Sequence, residues 1–144
     1  MTRHCLDTSA YSHFKRGDPQ AVELIDRADW IGMPAVVIGE LWLGFLLGRR
    51  AHDNQVELEQ FLANPVVEVL PVDEEVAHLY ADIVADLRKA GTPLPTNDIW
   101  IAAAAARAGA AVLTYDDHFT TISRVGSLVL SAPPANRGEA RGTD

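Results

Sequence analysis

The sequence predicts an α/β domain with a central, mostly parallel sheet of four to five strands flanked by helices. Short apolar runs that end in turn residues alternate with helical stretches along the 144 residues. The helical stretches are long enough to cross over from one strand to the next, as parallel strands require. Hydrophobic residues make up 48% of the chain, which suits one buried core. We therefore expect one domain at residues 1–131 and a disordered tail at 132–144, where Pro, Gly, Ala and charges accumulate.

The N-terminal part predicts one strand followed by two short helices. Arg3–Leu6 is an apolar-leaning run that stops where helix-capping residues begin. A first helix is expected over Ser9–Lys15. Asp18 and Pro19 then match an N-cap and a first helical position, and an apolar stripe carries a second helix to about Ala28.

The next segment combines a strand with an unusually apolar helix. Trp30–Met33 is strand-like and ends at Pro34. Ala35–Leu47 is almost wholly apolar, so we expect a helix that is buried on most sides. Glu40 is the only charged residue in this helix. An isolated carboxylate in such surroundings is costly unless it is paired or bound to a cation, so a functional role is favoured for Glu40.

The second half of the chain continues the alternation of helices and strands. A long amphipathic helix ends at Gly91, and Thr96, Asn97 and Asp98 are expected to cap the apolar helix that follows. The predicted helices are His52–Ala63, Asp73–Ala90 and Ile99–Ala106, and the predicted strands are Val66–Leu70, Ala110–Leu113 and an edge strand at Leu128–Leu130.

Charge and composition narrow the class of function. The formal net charge of −8 is the wrong sign for a module that binds nucleic acid by general phosphate neutralisation. It is compatible with a nuclease whose carboxylates bind cations. No apolar stretch approaches the roughly 20 residues that span a bilayer, and the start has no signal-peptide apolar region. We expect no membrane contact and a cytoplasmic location, with the single cysteine, Cys5, as a buried strand thiol.

Four acidic residues occupy positions that suggest a shared site. Asp7 and Asp116 follow strands, at the edge where open α/β sheets place their sites, while Asp98 begins a buried helix and Glu40 lies inside another. Taken singly, the three aspartates also have structural explanations as caps or turn residues. A common pocket explains all four acids together. Oxygen ligands without His or Cys partners indicate Mg2+, with Mn2+ as a substitute, and hydrolysis by a water that the metal activates.

Residues beside the acids are candidates for a supporting role. Thr8, Ser9 and Thr114 are expected to hydrogen-bond the carboxylates or the attacking water, although capping and turn bonds explain them equally well. Asp117 competes with the preceding residue for the fourth acidic position. His118 is a candidate for a phosphate contact, but a surface or capping role explains it better.

The four acids lie at four places in the chain whose neighbouring residues form recognisable motifs. These places are Leu6-Asp7-Thr8-Ser9, Glu40 in the third helix, Thr96–Ala103 and Leu113–Phe119. Together the segments resemble the PIN-domain family, specifically the VapC-type toxins of toxin–antitoxin pairs, over about residues 3–130. The resemblance implies a three-layer PIN-like fold and an Mg2+- or Mn2+-dependent endoribonuclease. It further implies cleavage of structured RNA such as tRNA or rRNA, inhibition of translation until a cognate antitoxin binds, and a homodimer. By the same resemblance Asp7, Glu40 and Asp98 are core metal ligands, and Asp116 is the fourth acid.

The resemblance leaves the RNA-binding and antitoxin-binding surfaces to be located. The candidate RNA-binding residues, otherwise solvated charges, are Lys15, Arg16, Arg49 and Arg50. The antitoxin is expected to lay an amphipathic segment in a groove near the first helices and the Glu40 helix. The candidates to line that groove, unless they pack in the core, are Trp42, Phe45, Leu46 and Leu47.

Other phosphate chemistries fit the motifs less well. A haloacid-dehalogenase-like phosphatase needs a second Asp two residues after the first, and Ser9 stands there instead. A phosphate-binding loop of the P-loop type is absent from the sequence. The alternatives that stay open are a PIN nuclease that acts in RNA maturation or on DNA, and a non-catalytic PIN-like binding protein whose acids only cap helices.

Overall fold

Strands and helices alternate along residues 1–131, which are the residues that the computed structural model describes. The strands are β1 (Arg3–Leu6), β2 (Trp30–Pro34), β3 (Val67–Leu70), β4 (Ala111–Thr114) and β5 (Ser127–Val129). The helices are α1 (Thr8–Lys15), α2 (Pro19–Asp26), α3 (Ala35–Leu47), α4 (Ala51–Leu62), α5 (Glu74–Ala90) and α6 (Thr96–Ala108), and a 3-10 turn covers Asp117–Thr121. The predicted α/β class is confirmed. The tail expected at 132–144 lies outside the described residues.

The five strands form one sheet in the order β3-β2-β1-β4-β5, and every neighbouring pair is parallel. The first strand is the central one, and Cys5 pairs with Gly32 on one side and Val112 on the other. Because all five strands point the same way, their carboxyl ends meet at one edge of the sheet. Asp7 follows β1 at the middle of that edge.

The core lies between the sheet and the helices packed on it. The predicted burial of Cys5 is confirmed, because its side chain is fully buried, and burial raises the pKa of its thiol. Gly32 shows how closely side chains pack over β2. A Cβ atom at this position would lie 2.5 Å from the Trp30 ring and 2.8 Å from the Leu70 side chain. Only glycine fits there without movement of its neighbours.

Side-chain caps begin three of the six helices described, α1, α2 and α5, whereas α3, α4 and α6 begin without one. Asp18 caps α2 through its side chain and Pro19 is the first helical residue, as predicted. The expectation that three polar residues cap α6 is wrong. The helix begins at Thr96, after Pro95 in the N-cap position without a side-chain bond. Pro95 fixes an extended backbone, and the polar residues therefore lie inside the first turn with Asp98.

The apolar helix α3 is far more exposed than its sequence predicts. Only Val37 and Leu41 are buried, whereas Leu43, Leu46 and Leu47 are 58%, 65% and 80% exposed. The expectation of a helix buried on most sides is therefore wrong, because neighbouring elements cover one face of α3 only. In the described residues, no helix is long and apolar enough to cross a membrane.

Candidate active site

Asp7 combines a structural role with a place at the centre of the sheet edge. Its side chain is 5% exposed. Oδ1 accepts hydrogen bonds from Ser9 Oγ at 2.7 Å and from the Ala10 N–H at 2.9 Å, so Asp7 caps α1. Oδ2 accepts a hydrogen bond from Thr114 Oγ1. Burial raises the pKa of Asp7; these hydrogen bonds oppose the rise, and the negative charge of Asp116 adds to it.

Two hydroxyl groups join the start of α1 to the end of β4. Ser9 Oγ accepts a hydrogen bond from the Tyr115 N–H at 3.0 Å, and Thr114 Oγ1 accepts one from the Asp116 N–H at 2.9 Å. The two hydroxyl oxygens are 3.4 Å apart. Since both hydroxyls also donate to Asp7, they hold the strand ends and the carboxylate in one network.

Asp98 and Asp116 approach each other from α6 and from the end of β4. Their nearest ligand atoms lie within 4.8 Å of one another and of a ring nitrogen of His118. His118 Nδ1 is 3.1 Å from Asp116 Oδ2 and 3.5 Å from Asp98 Oδ2. Burial raises the pKa of Asp98, the contact with His118 opposes the rise, and the charges of Asp116 and Asp7 add to it. The like charges of Asp116 and Asp7 thus disfavour the charged form of Asp98.

Glu40 belongs to the same edge but is held through other residues. Its Oε1 accepts a hydrogen bond from Thr8 Oγ1 at 2.7 Å, and its Oε2 accepts one from Asn97 Nδ2 at 3.4 Å. Thr8 follows Asp7 in the chain, and Asn97 precedes Asp98. Each bond therefore fixes Glu40 beside one of the other acids, although Glu40 lies outside the compact group around His118.

Asp117 does not share the site of its neighbour. It is exposed and begins the 3-10 turn, where its carbonyl oxygen accepts a hydrogen bond from Thr120 Oγ1. Asp116 instead caps this turn through Oδ1, which accepts a hydrogen bond from the His118 N–H at 2.9 Å. Of the two adjacent acids, only Asp116 contacts the group formed with Asp98.

The four candidate RNA-binding residues lie away from these carboxylates, at the end of α1 and in the α3–α4 connection. All four are exposed. Lys15 Nζ is 3.5 Å from Glu57 Oε2, and Arg50 Nη2 is 3.6 Å from Asp53 Oδ2. Lys15 and Arg16 also line a groove with Phe45. Their assignment to RNA stays a prediction.

Two participants were not predicted from the sequence as partners of the acids. The sequence predicts only a capping role for Asn97 and a surface or capping role for His118. Each is within two residues of an acid in the chain, and this proximity is the signal that the sequence offers. Their contacts with acids on other elements depend on how α3, α6 and the 3-10 turn approach one another.

A polar cluster around buried Asp18 supports the segment that carries Asp116. The Tyr115 hydroxyl donates a hydrogen bond to Asp18 Oδ2, and the His13 ring stacks on the Tyr115 ring with centroids 3.7 Å apart. Asp18 is 7% exposed. Burial and the hydrogen bond to Asp18 raise the pKa of Tyr115. The cluster fastens the end of β4 to the α1–α2 connection.

Similarity to known proteins agrees with this geometry. The PIN domain family model matches residues 4–125. This chain belongs to the PIN-domain family. Among its relatives, Ribonuclease VapC5 of Mycobacterium tuberculosis is 30% identical over 123 residues, which cover 85% of this chain and 90% of the relative. Ribonuclease VapC4 of the same organism is 35% identical over 102 residues, 71% of this chain and 78% of the relative.

A solved structure supports the same assignment. The crystal structure of VapBC-5 from Mycobacterium tuberculosis, a member of the VapBC family of toxin–antitoxin systems, matches with a TM-score of 0.71 and 27% identity. The match covers 90% of this chain and 100% of that chain. The resemblance to VapC-type members of the PIN-domain family, and the fold that it implied, are confirmed.

Proposed function

We propose that this PIN domain is an endoribonuclease that requires Mg2+ or Mn2+ and hydrolyses phosphodiester bonds in structured RNA such as tRNA or rRNA. The observation that carries the proposal is the approach of Asp98 and Asp116 at the edge where all the strands end, with buried Asp7 joined to the Asp116 backbone through the Thr114 hydroxyl. Two relatives that are 30% and 35% identical are named ribonucleases, which supports RNA as the substrate.

The donor set fits a hard divalent cation. Asp98 and Asp116 offer carboxylate oxygens within 4.8 Å of each other, and half-buried like charges are costly unless a cation neutralises them. Asp7 retains acceptor capacity on Oδ2, which receives one hydrogen bond. We assign the ion to Asp98 and Asp116, with Asp7 and Glu40 as further carboxylate ligands. When bound, the cation supplies Lewis-acid activation of water and offsets charge on the phosphate.

The other residues of the site position these carboxylates. Ser9 and Thr114 hold Asp7 by hydroxyl hydrogen bonds, and Thr8 holds Glu40 in the same way. Asn97 holds the second oxygen of Glu40 from α6. Oriented ligands bind a cation with less loss of side-chain freedom, so we expect removal of any of these groups to weaken activity about 10- to 100-fold.

We propose further that the protein is the toxin of a pair whose antitoxin covers α3. The helix exposes Leu43, Leu46 and Leu47, which is unusual for a helix of a monomeric soluble domain. Phe45 and Leu41 line a groove beside them, and α1 and α4 form the rest of its wall. An amphipathic antitoxin segment would bury this apolar surface. The VapBC-5 complex supports such a partner, and the predicted homodimer would cover further surface.

Cleavage of RNA by the purified protein tests the catalytic part of the proposal. Labelled tRNA and rRNA fragments are incubated with Mg2+, with Mn2+ or with excess chelator. We expect cleavage only with a metal, and a loss on the order of 100-fold or more in Asp98→Asn and Asp116→Asn. Asp117→Asn is the matched variant, because it alters an exposed neighbour that does not touch Asp98. Cleavage in chelator, or equal loss in both neighbouring variants, would contradict the site.

Growth after induced expression tests the toxin role separately. The wild-type protein should arrest growth, the Asp98→Asn variant should not, and co-expression of the gene product encoded beside it should restore growth. Mapping the RNA ends that accumulate after induction identifies the target. Metal-dependent cleavage of RNA without growth arrest would favour a nuclease of RNA maturation. If only DNA were cleaved, the substrate would be DNA and not RNA. Absence of any cleavage would favour a binding protein.

A further inference from the structure

His118 stands between the two carboxylates that approach each other most closely. Its Nδ1 atom is 3.1 Å from Asp116 Oδ2 and 3.5 Å from Asp98 Oδ2. Among the described residues, these three side chains form the one group whose ligand atoms are all within 4.8 Å of one another. We infer that His118 is a nitrogen ligand of the divalent cation and makes the site prefer Mn2+ and Co2+ over Mg2+. This inference rests on the metal dependence proposed above.

The turn that carries His118 holds its ring in this place. Asp116 caps the turn through Oδ1, which accepts a hydrogen bond from the His118 N–H at 2.9 Å. Phe119, the next residue, is fully buried and anchors the turn in the core. Asp116 Oδ2 is left on the side of the His118 ring and of Asp98. The hydrogen bond from the His118 N–H and the burial of Phe119 thus hold the imidazole beside both carboxylates.

The ring contacts two acidic side chains, those of Asp98 and Asp116. A divalent cation neutralises their negative charges more fully than one imidazole does. In the metal-free protein, Nδ1 can donate a hydrogen bond to Asp116 only if it carries a proton. The neutral ring with a free Nδ1 lone pair offers an electron pair to a cation instead, at the point where the two carboxylate oxygens converge. The side chain of His118 is 46% exposed, so part of its ring is open to solvent and to an ion from solution.

A nitrogen donor changes the order of metal preference. Mg2+ strongly favours oxygen ligands, whereas first-row transition ions accept imidazole, with affinity rising from Mn2+ to Co2+. A site of carboxylates alone would discriminate weakly between Mg2+ and Mn2+. We therefore expect His118→Gln to lower the affinity for Mn2+ about 10- to 100-fold and that for Co2+ by at least as much. The affinity for Mg2+ should change less than about threefold.

Metal binding to the full chain tests this inference without any activity measurement. Calorimetric titrations with Mg2+, Mn2+ and Co2+ compare wild type, His118→Gln and His78→Gln. His78 is the matched control, because it is a histidine on α5 that is 75% exposed and pairs with Glu74. Wild type and His78→Gln should share the Mn2+ preference, and His118→Gln should lose it. Equal weakening for all three cations in His118→Gln would overturn the role of the nitrogen.

Electron spin-echo spectroscopy of bound Mn2+ is a second test of nitrogen ligation, and it needs no variant. Imidazole nitrogen bound to Mn2+ should modulate the echo in wild-type protein, and uniform 15N labelling should change the modulation pattern. Mn2+ binding without nitrogen modulation would overturn the inference while it leaves a carboxylate metal site intact. If no divalent cation binds to wild type, both the inference and the proposed metal dependence fail.

Discussion

Replacement of Asp7 by Asn is expected to stabilise the metal-free protein at neutral pH while it abolishes metal-dependent cleavage. Asn and Asp are equally good N-cap residues, so the cap of α1 is retained. The amide oxygen can still accept hydrogen bonds from Ser9 and Ala10, and the amide N–H can donate to Thr114. The substitution therefore removes a buried charge and keeps the shape of the side chain.

The magnitude follows from two opposing effects at Asp7. Three hydrogen bonds reach its carboxylate, and each is about 1 kcal/mol stronger with a charged than with a neutral acceptor. Burial of an ion costs several kcal/mol. Because burial raises the pKa of Asp7 in spite of these bonds, the burial cost is the larger effect. We expect Asp7→Asn to raise the free energy of unfolding by about 1 kcal/mol, a gain typical of substitutions that relieve a functional site.

The raised pKa of Asp7 also predicts how the stability difference between variant and wild type changes with pH. The pKa of Asp7 in the native protein lies above its ordinary value of 3.8, so the native state binds more protons in the interval between the two values. The free energy of unfolding of the wild type therefore falls as the pH rises through that interval. Asn does not titrate. The advantage of the variant over wild type should grow across the interval and stay constant at higher pH.

Urea unfolding in excess chelator, repeated at several pH values, measures the effect. Asp117→Asn is the control, because an exposed carboxylate should change stability by less than about 0.5 kcal/mol. The reasoning would be refuted if Asp7→Asn were less stable than wild type at pH 7. It would equally fail if the difference between the two proteins shrank as the pH rose.

Three further substitutions test a buried hydrogen bond, a close contact over β2 and the exposed face of α3. Tyr115→Phe removes the hydroxyl that donates to buried Asp18, so urea unfolding should show that the free energy of unfolding falls by about 1–3 kcal/mol. An unchanged value would mean that this hydrogen bond does not stabilise the fold. Gly32→Ala places a Cβ atom 2.5 Å from the Trp30 ring and should cost about 1–3 kcal/mol; an unchanged Tm in thermal unfolding would show that the ring moves aside freely. Leu47→Ser alters a residue that is 80% exposed, so the free energy of unfolding of the variant should stay within about 0.5 kcal/mol of wild type. Calorimetry should show weaker antitoxin binding. A marked drop in Tm would contradict the exposure of Leu47.

The strands and the placement of three acids could be predicted because their signals are local. Asp7 and Asp116 follow short apolar runs, and a parallel sheet brings the ends of such runs to one edge. Asp98 follows a proline-rich loop and lies in the first turn of α6, as expected, although the capping predicted for that turn is wrong. Their role as metal ligands stays a prediction that the cleavage experiment tests.

The exposure of α3 and the position of His118 could not be predicted in the same way. Hydrophobic residues such as Leu46 have the same sequence signature whether they enter the core of their own chain or a surface that another chain covers. His118 meets Asp98 only because two segments that are 20 residues apart fold against each other. Contacts of this kind depend on tertiary packing, which hydrophobic periodicity does not describe.

The central position of the first strand also determines when the site can form during translation. The hydrogen bond between Thr114 and Asp7 joins residues that are 107 positions apart in the chain. At about 5–20 residues per second, the ribosome needs roughly 5–20 s to synthesise that interval. Asp7 therefore emerges long before Asp98 and Asp116, and β1 waits for one of its two neighbouring strands throughout that time. A partly synthesised chain lacks the complete group of acids, so the nascent protein cannot act through this site while most of it is still being made.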